Sequence, residues 1–303
     1  MKRTIKDWII ATRPWSFTAS SMPVVVTTMY LYYRSQVEGT SIDWVGAVLA
    51  LLLIVVMHAA GNVISDYYDY KKGVDRQDSL NGVTWIYNGM FRPEEIKRFG
   101  FTLLAIACVA GLVILQRVGW SVAWIGVLGL LCAAFYPWLK SHALGDYEIL
   151  CCFALLPSLG TGYVVCGQYR WDVVLLSLTY GLMTVGVLHS NNTRDIKSDR
   201  QAGIRTLAMQ IGSRISRRVY AAEMLLPFAL LLIYSVTGMM SFVCCILSML
   251  VFVPSYRLAH QMLTTDPEVE TEIVGVDQKT AQTQMLFSLL LSLGFVLYTL
   301  ILL

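Results

Sequence analysis

Long uncharged runs alternate with short polar breaks along almost the whole chain. Stretches such as 44 to 60, 101 to 115 and 285 to 303 contain no charged residue. Runs of this kind approach or reach the roughly 20 apolar residues that a membrane-spanning helix needs. Read end to end, the pattern predicts spans at 15–33, 43–65, 99–116, 119–139, 147–167, 171–189, 219–237, 241–262 and 284–303. Lipid offers no partner to an open strand edge, so these spans are helices. The expected fold is all-α: a polytopic membrane protein of about nine transmembrane helices around a central cavity, with cytoplasmic cap loops. Residues 1–303 read as a single transmembrane domain.

Two connections, 66–98 and 191–218, are long and charged. With an interior N-terminus, 20 of the 23 Lys and Arg residues fall on the inner side, and only Arg34, Arg117 and Arg170 fall outside. The positive-inside rule then places the N-terminus in the cytoplasm and, after nine spans, the C-terminus outside. The basic segment 1–13 precedes an apolar run with no small-residue cleavage site, so it reads as leading a retained span. The expected location is the cytoplasmic (inner) cell membrane.

Composition narrows the chemistry. The chain is 56% hydrophobic and 14% charged, with a net charge of +3. The bases are those that set topology, so nucleic acid is not an expected partner, and no obligate protein partner is inferred. All seven cysteines lie in apolar spans without a Cys-x-x-Cys pair near histidine, which points to neither zinc nor a disulfide framework.

Against this background two acid clusters stand out, because a carboxylate at a bilayer is costly unless it meets water, a partner or a cation. The first holds Asn62, Ser65, Asp66 and Asp69, spaced by three and four so that they share one helix face, and continues through Lys72 to Asp75. The second holds Asn191, Asn192, Asp195 and Asp199, with Arg194, Lys197, Arg200 and Arg205 among them. Both follow spans that run inward, so both emerge on one face and can share a cavity. Oxygen ligands of this hardness suit magnesium, which keeps several waters and is commonly shared between carboxylates and substrate phosphates. The bases are donors for phosphate oxygens. His58-Ala-Ala-Gly-Asn62 and His189-Ser-Asn191 hint at a pseudo-repeat, spans 1–4 and 5–8 plus a ninth helix.

In order, spacing and position after spans two and six, the clusters resemble the two aspartate-rich motifs of the intramembrane aromatic prenyltransferases, the UbiA superfamily. Within it the chain resembles the naphthoate-prenylating branch that makes menaquinone, including the vertebrate enzyme that forms vitamin K2. The resemblance rests on Arg13-Pro14-Trp15, on Gly61-Asn62 through Tyr67-Tyr68-Asp69-Tyr70-Lys71-Lys72-Gly73-Val74-Asp75, on 191–195 through Thr206-Leu207-Ala208, and on Lys279-Thr280-Ala281-Gln282-Thr283. It departs at Ser65, where many members have Asn, and at Asn81-Gly82-Val83-Thr84-Trp85, where bacterial relatives carry a Gly-Pro-Arg-like stretch.

The resemblance implies a Mg2+ cofactor held by Asp66, Asp69, Asp75, Asp195 and Asp199, and a polyprenyl diphosphate contacted by Arg13, Asn62, Lys72, Asn191, Asn192, Arg194, Arg200 and Arg205. It also implies catalytic roles for Asp69, Asp195, Tyr136 and Lys140, the last two forming a Tyr-x-x-x-Lys element at the end of span four. The implied reaction prenylates 1,4-dihydroxy-2-naphthoate with loss of its carboxylate. Alternatives are another aromatic acceptor, 4-hydroxybenzoate or homogentisate, or an ion-coupled transporter.

Other residues have plainer readings. Tyr30, Tyr32 and Tyr33 read as interfacial belt residues, and Tyr136 is also open to that reading. His58 and His189 read as satisfied polar residues between helices. Segments 92–97 and 214–218 read as short helices capping the cavity, and 264–278 as a solvated loop.

Overall fold

A computed structural model of the chain describes residues 3–72, 85–201, 203, 205–266 and 269–303, without the side chains at 69, 72, 133, 134, 136, 137, 140, 141, 270 and 271, which include Asp69, Lys72, Tyr136 and Lys140. Asp75 and the departure at 81–84 therefore lie outside the described residues. The chain begins with a short helix, α1 (Ile5–Ala11), closed by a capping box between Thr4 and Asp7. A 3-10 turn at Pro14–Ser16 leads into α2 (Thr18–Glu38), α3 (Trp44–Lys72), α4 (Pro93–Val118) and α5 (Ala123–Ser141). Next come α6 (Gly145–Leu150) and α7 (Leu156–Cys166), joined by a π turn at Cys151–Leu155, and α8 (Trp171–Arg194). Two short helices, α9 (Ile196–Gln201) and α10 (Leu207–Ile211), precede α11 (Ser213–Val236), α12 (Phe242–Met249), α13 (Phe252–Thr264) and α14 (Val276–Leu302). No strand occurs among the described residues.

The fold is all-α, as the apolar runs require. Among the described residues, six helical stretches are long and apolar enough to cross a membrane: α3, α4, α6 with α7, α8, α11 and α14. The α12–α13 pair adds a seventh, bent by 53°. α2 and α5 fill the places of the two remaining predicted spans, an arrangement compatible with nine.

Proline explains two irregularities. Pro254 cannot donate to the carbonyl of Leu250 and its ring crowds that oxygen, and the break between α12 and α13 falls at Leu250 and Val251. Pro157 stands in the same relation to Phe153, inside the π turn.

The main core joins α2, α8, α11 and α14 through Tyr30, Tyr180, Tyr220, Phe287 and Phe295, all fully buried. Tyr30 and Tyr33 are thus core residues and not belt residues. The Tyr30 hydroxyl donates to Asp172 Oδ2 at 2.9 Å, and Tyr33 stacks on Phe295 at 5.8 Å. Segments 92–97 and 214–218 are the first turns of α4 and α11 and not separate caps, the former with Pro93 at its start and Glu94 and Glu95 in that turn. Within 264–278, Glu270–Ile273 forms a 3-10 turn and α14 begins at Val276, ahead of the predicted 284.

Several contacts set the relative direction of α3 and α8. Arg170, just before α8, pairs with Glu38 at the end of α2 (2.8 Å) and with Asp172 (2.6 Å). Asp43, just before α3, donates its backbone N–H to the Val165 carbonyl near the end of α7 (2.9 Å). Tyr32 packs on Trp44, ring centroids 5.3 Å apart. The starts of α3 and α8 therefore share one end of the bundle, and their acid-bearing ends share the other.

Backbones approach closely where side chains are absent. A Cβ built on Gly294 would lie 2.0 Å from the Cys244 carbonyl oxygen, so α12 and α14 meet only because this position is glycine. Gly294→Ala is expected to lower the melting temperature clearly. Gly111→Ala, in α4 with nothing within 4 Å of the added carbon, should leave it unchanged or raise it. Thermal unfolding of both variants in detergent checks this, and equal melting would refute the close approach.

Candidate active site

The first acid cluster belongs to the last turns of α3, which continues to Lys72 and so carries Asn62, Asp66 and Asp69 on one helix. Asn62 and Asp66, one turn apart, both face the link between α1 and α2. Asn62 Nδ2 donates to the Thr12 carbonyl and to Ser16 Oγ, each at 3.0 Å. Arg13 forms an ion pair and hydrogen bond to Asp66 Oδ1, and Asp66 is 3% exposed. Arg13 adopts a left-handed backbone, φ 56°, uncommon for a side chain of its size. That conformation turns the chain from α1 into the 3-10 turn and brings the guanidinium to α3. One turn further in, His58 lies 2.8 Å from Ser20 Oγ and 3.3 Å from Ser16 Oγ, satisfied as predicted.

Aromatic and basic groups pack together at this end. Trp8 of α1 packs on Phe91 and Phe99 with centroids 4.6 and 4.8 Å apart, and Arg3 reaches the Met90 carbonyl (2.9 Å) and Glu95 (2.5 Å). Lys97 stands 5.5 Å from the Tyr67 ring.

The second cluster forms where α8 ends. Asn191, Asp195 and Asp199 are spaced by four but do not lie on one continuous helix: α8 stops at Arg194, Asp195 caps it, and Asp199 lies in α9. Backbone bonds still step by four, from Asp195 N to the Asn191 carbonyl (2.9 Å) and from Asp199 N to the Asp195 carbonyl (2.8 Å). Arg194 forks onto Asp195 at 2.7 and 2.8 Å and lies 3.4 Å from Asp277 at the start of α14. Asn192 turns inward, 4% exposed, and donates to Asp146 Oδ1 at 3.3 Å. Arg200 and Arg205 are exposed at the same end.

The structure brings together Arg13, Asn62 and Asp66 at one helix end, and Asn191, Arg194 and Asp195 at a parallel one. α2 packs against both α3 and α8. Tyr136 and Lys140 lie on the last turns of α5; their side chains, like those of Asp69 and Lys72, fall outside the described residues.

The donor chemistry fits a hard cation. The two clusters offer carboxylate and amide oxygens, and Asn191 Oδ1 is buried without a hydrogen-bond partner. Sequence reasoning missed Asp146 and Glu223, both buried and grouped with His189. The available signal was a lone acid in or beside an otherwise apolar span.

Comparison with known proteins agrees with this geometry. The sequence matches the UbiA prenyltransferase family over residues 22–272. It is 32% identical over 302 residues to UbiA prenyltransferase domain-containing protein 1 of Xenopus tropicalis, covering 98% of this chain and 83% of that protein. The human protein of the same name is 29% identical over 297 residues, covering 96% and 83%. Among solved structures, a digeranylgeranylglyceryl phosphate synthase superposes with a TM-score of 0.67 at 19% identity, covering 96% of this chain and 98% of that one. A UbiA homolog from Archaeoglobus fulgidus, bound to GPP and Mg2+, gives 0.59 at 14% identity, covering 94% and 99%. The all-helical architecture, the parallel acid-bearing helix ends and the match across most of the sequence place this chain in the UbiA prenyltransferase family.

Proposed function

We propose that this protein is a magnesium-dependent polyprenyltransferase of the cytoplasmic (inner) membrane, which prenylates 1,4-dihydroxy-2-naphthoate with loss of carbon dioxide in menaquinone biosynthesis. The carrying observation is that parallel α3 and α8 deliver both acid clusters, and the bases Arg194, Arg200 and Arg205, to one end of the bundle. Family membership supports prenyl transfer, and the Archaeoglobus homolog holds a prenyl diphosphate with Mg2+. The acceptor rests on the sequence segments that resemble the naphthoate branch; the animal relatives' names specify none.

In this reading Asp66, Asp69, Asp75, Asp195 and Asp199 hold the metal. Bound magnesium supplies the positive charge that makes diphosphate a tolerable leaving group. The chain's own bases, Arg194, Arg200, Arg205, Lys72 and Lys140, grip the phosphate oxygens. The allylic C–O bond breaks and its electron pair leaves with diphosphate. The carboxylate-bearing ring carbon then provides the pair for the new C–C bond, and the pair of the C–COO− bond returns to the ring as carbon dioxide departs. Tyr136 is assigned to face the allylic cation, a contact worth about 0.5–2 kcal/mol. The aromatic cover of Trp8, Phe91 and Phe99 keeps out water that would trap that cation as an alcohol.

A transporter is the less supported reading. Among the described residues the bent pair, α12 with α13, breaks at Leu250 and Val251, where no charge is available to couple an ion, whereas the two aspartate clusters sit at the ends of α3 and α8.

Purified protein given a series of prenyl diphosphates with dihydroxynaphthoate, 4-hydroxybenzoate or homogentisate should form a prenylated, decarboxylated naphthol product that vanishes with chelator. No metal-dependent product from any acceptor rejects the enzyme, and product from hydroxybenzoate alone reassigns the acceptor. Asp69→Asn and Asp195→Asn should each cut turnover by about a hundredfold or more, with unchanged melting.

The Arg13–Asp66 pair gives a second test. Arg13→Gln leaves a buried carboxylate without its guanidinium and should cost about 3 kcal/mol, the low end for buried pairs because the Arg13 side chain is 27% exposed. Combining it with Asp66→Asn should restore much of that stability. Strictly additive losses in the double variant would show that the two side chains are not coupled.

A further inference from the structure

Beneath the second acid cluster, three helices bring together side chains that prenyl transfer does not use. Asp146 lies in α6, His189 in α8 and Glu223 in α11, with exposures of 5%, 0% and 7%. His189 Nδ1 is 2.5 Å from Asp146 Oδ2 and 3.7 Å from Glu223 Oε1, and one donor atom from each residue lies within 4.8 Å of the others.

His189 Nε2 lies 2.9 Å from Ser216 Oγ and 3.1 Å from the Ser216 carbonyl, which can only accept. With the proton on Nε2, the neutral ring turns its Nδ1 lone pair toward two carboxylates. A cation belongs between them. Asp146 is oriented by Asn192, and Glu223, whose Oε1 faces His189, has its Oε2 buried with no hydrogen-bond partner.

We propose that Asp146, His189 and Glu223 bind a divalent transition-metal ion, with Zn2+ as the representative, at a site separate from the carboxylates at the helix ends. A divalent ion satisfies charge balance, because it cancels both carboxylates without requiring either to take up a proton. The imidazole nitrogen selects a borderline ion over magnesium, which prefers oxygen and retained water. The Ser216 carbonyl on Nε2–H and the Asn192 amide on Asp146 are the outer partners that orient ligands in such sites. Bonds of about 2.0–2.2 Å require Nδ1 and Asp146 Oδ2 to part to roughly 3 Å, within reach of a small side-chain rotation. The ion ties α6, α8 and α11 together and fixes the turn of α8 from which Asn191 and Asp195 project.

The test uses full-length protein in lipid nanodiscs, stripped with chelator, supplied with Zn2+ and dialysed against excess Mg2+. Elemental analysis should find one zinc ion per chain, and Co2+ in its place should give the visible absorption of a low-coordinate site. His189→Gln and Glu223→Gln should each weaken binding by more than the roughly 10- to 100-fold typical of a lost outer partner. Asp195→Asn should retain the ion. Failure of wild-type protein to keep Zn2+ against Mg2+, or retention in both the His189 and Glu223 variants, overturns the proposal. Loss in Asp195→Asn assigns the ion to the helix ends and also overturns it. If His189→Gln does not fold, Glu223→Gln and the wild-type Co2+ spectrum decide. None of these readouts depends on prenyl transfer.

Discussion

A carboxylate among lipid-embedded helices must be paired, hydrogen-bonded or wet, because its desolvation costs several kcal/mol. The arrangement of this protein follows from how its acids meet that demand. At the end where α3 and α8 begin, Glu38 and Asp172 are clamped by Arg170, and Tyr30 reaches Asp172 from the core. The Arg117 guanidinium beside Asp43 holds that carboxyl below the usual carboxylate range. Within the bundle, Asp146 and Glu223 gather on His189. At the far end Arg13 takes Asp66 and Arg194 takes Asp195, leaving helix termini rich in acids and bases at one end of the bundle.

These pairings also organise the helices. The Glu38–Arg170–Asp172 group ties the start of α8 to the end of α2, and the Asp43–Val165 bond ties the start of α3 to α7. Parallel α3 and α8 follow, and with them the common end for both acid clusters. Elsewhere, buried Arg217 of α11 donates to the carbonyls of Met262, Thr265 and Asp266, satisfying the last turn of α13 where no further helical N–H is available. Glycines allow close backbone approach elsewhere, as at Gly294 against Cys244.

Much of this was legible in the sequence. Apolar runs of membrane length marked the helices, and the three-and-four spacing of Asn62, Asp66 and Asp69 put these side chains on one helix face, although the span was expected to end at 65 and α3 runs to Lys72. What escaped depends on partners distant in sequence. Tyr30 has the position of a belt residue, and only its contact with Asp172 shows why it is buried. Asp146 and Glu223 were visible as acids near or inside apolar runs, yet their partner His189 lies 43 residues from the first. α1 was hidden because seven mixed residues give no clear period, although the Thr4–Asp7 cap was there to be read.

The account turns on both acid-bearing helix ends opening on one face of the membrane. Single cysteines at Lys71 and Lys197, near those ends, and at Thr40 and Gln168, at the opposite end, can be introduced into a chain whose own cysteines are replaced by serine. Labelling of sealed, oriented vesicles with a membrane-impermeant thiol reagent then reads each side. Lys71 and Lys197 positions labelled together from one side, with Thr40 and Gln168 positions labelled only from the other, is the predicted result. Labelling of the Lys71 and Lys197 positions from opposite sides would contradict the shared site.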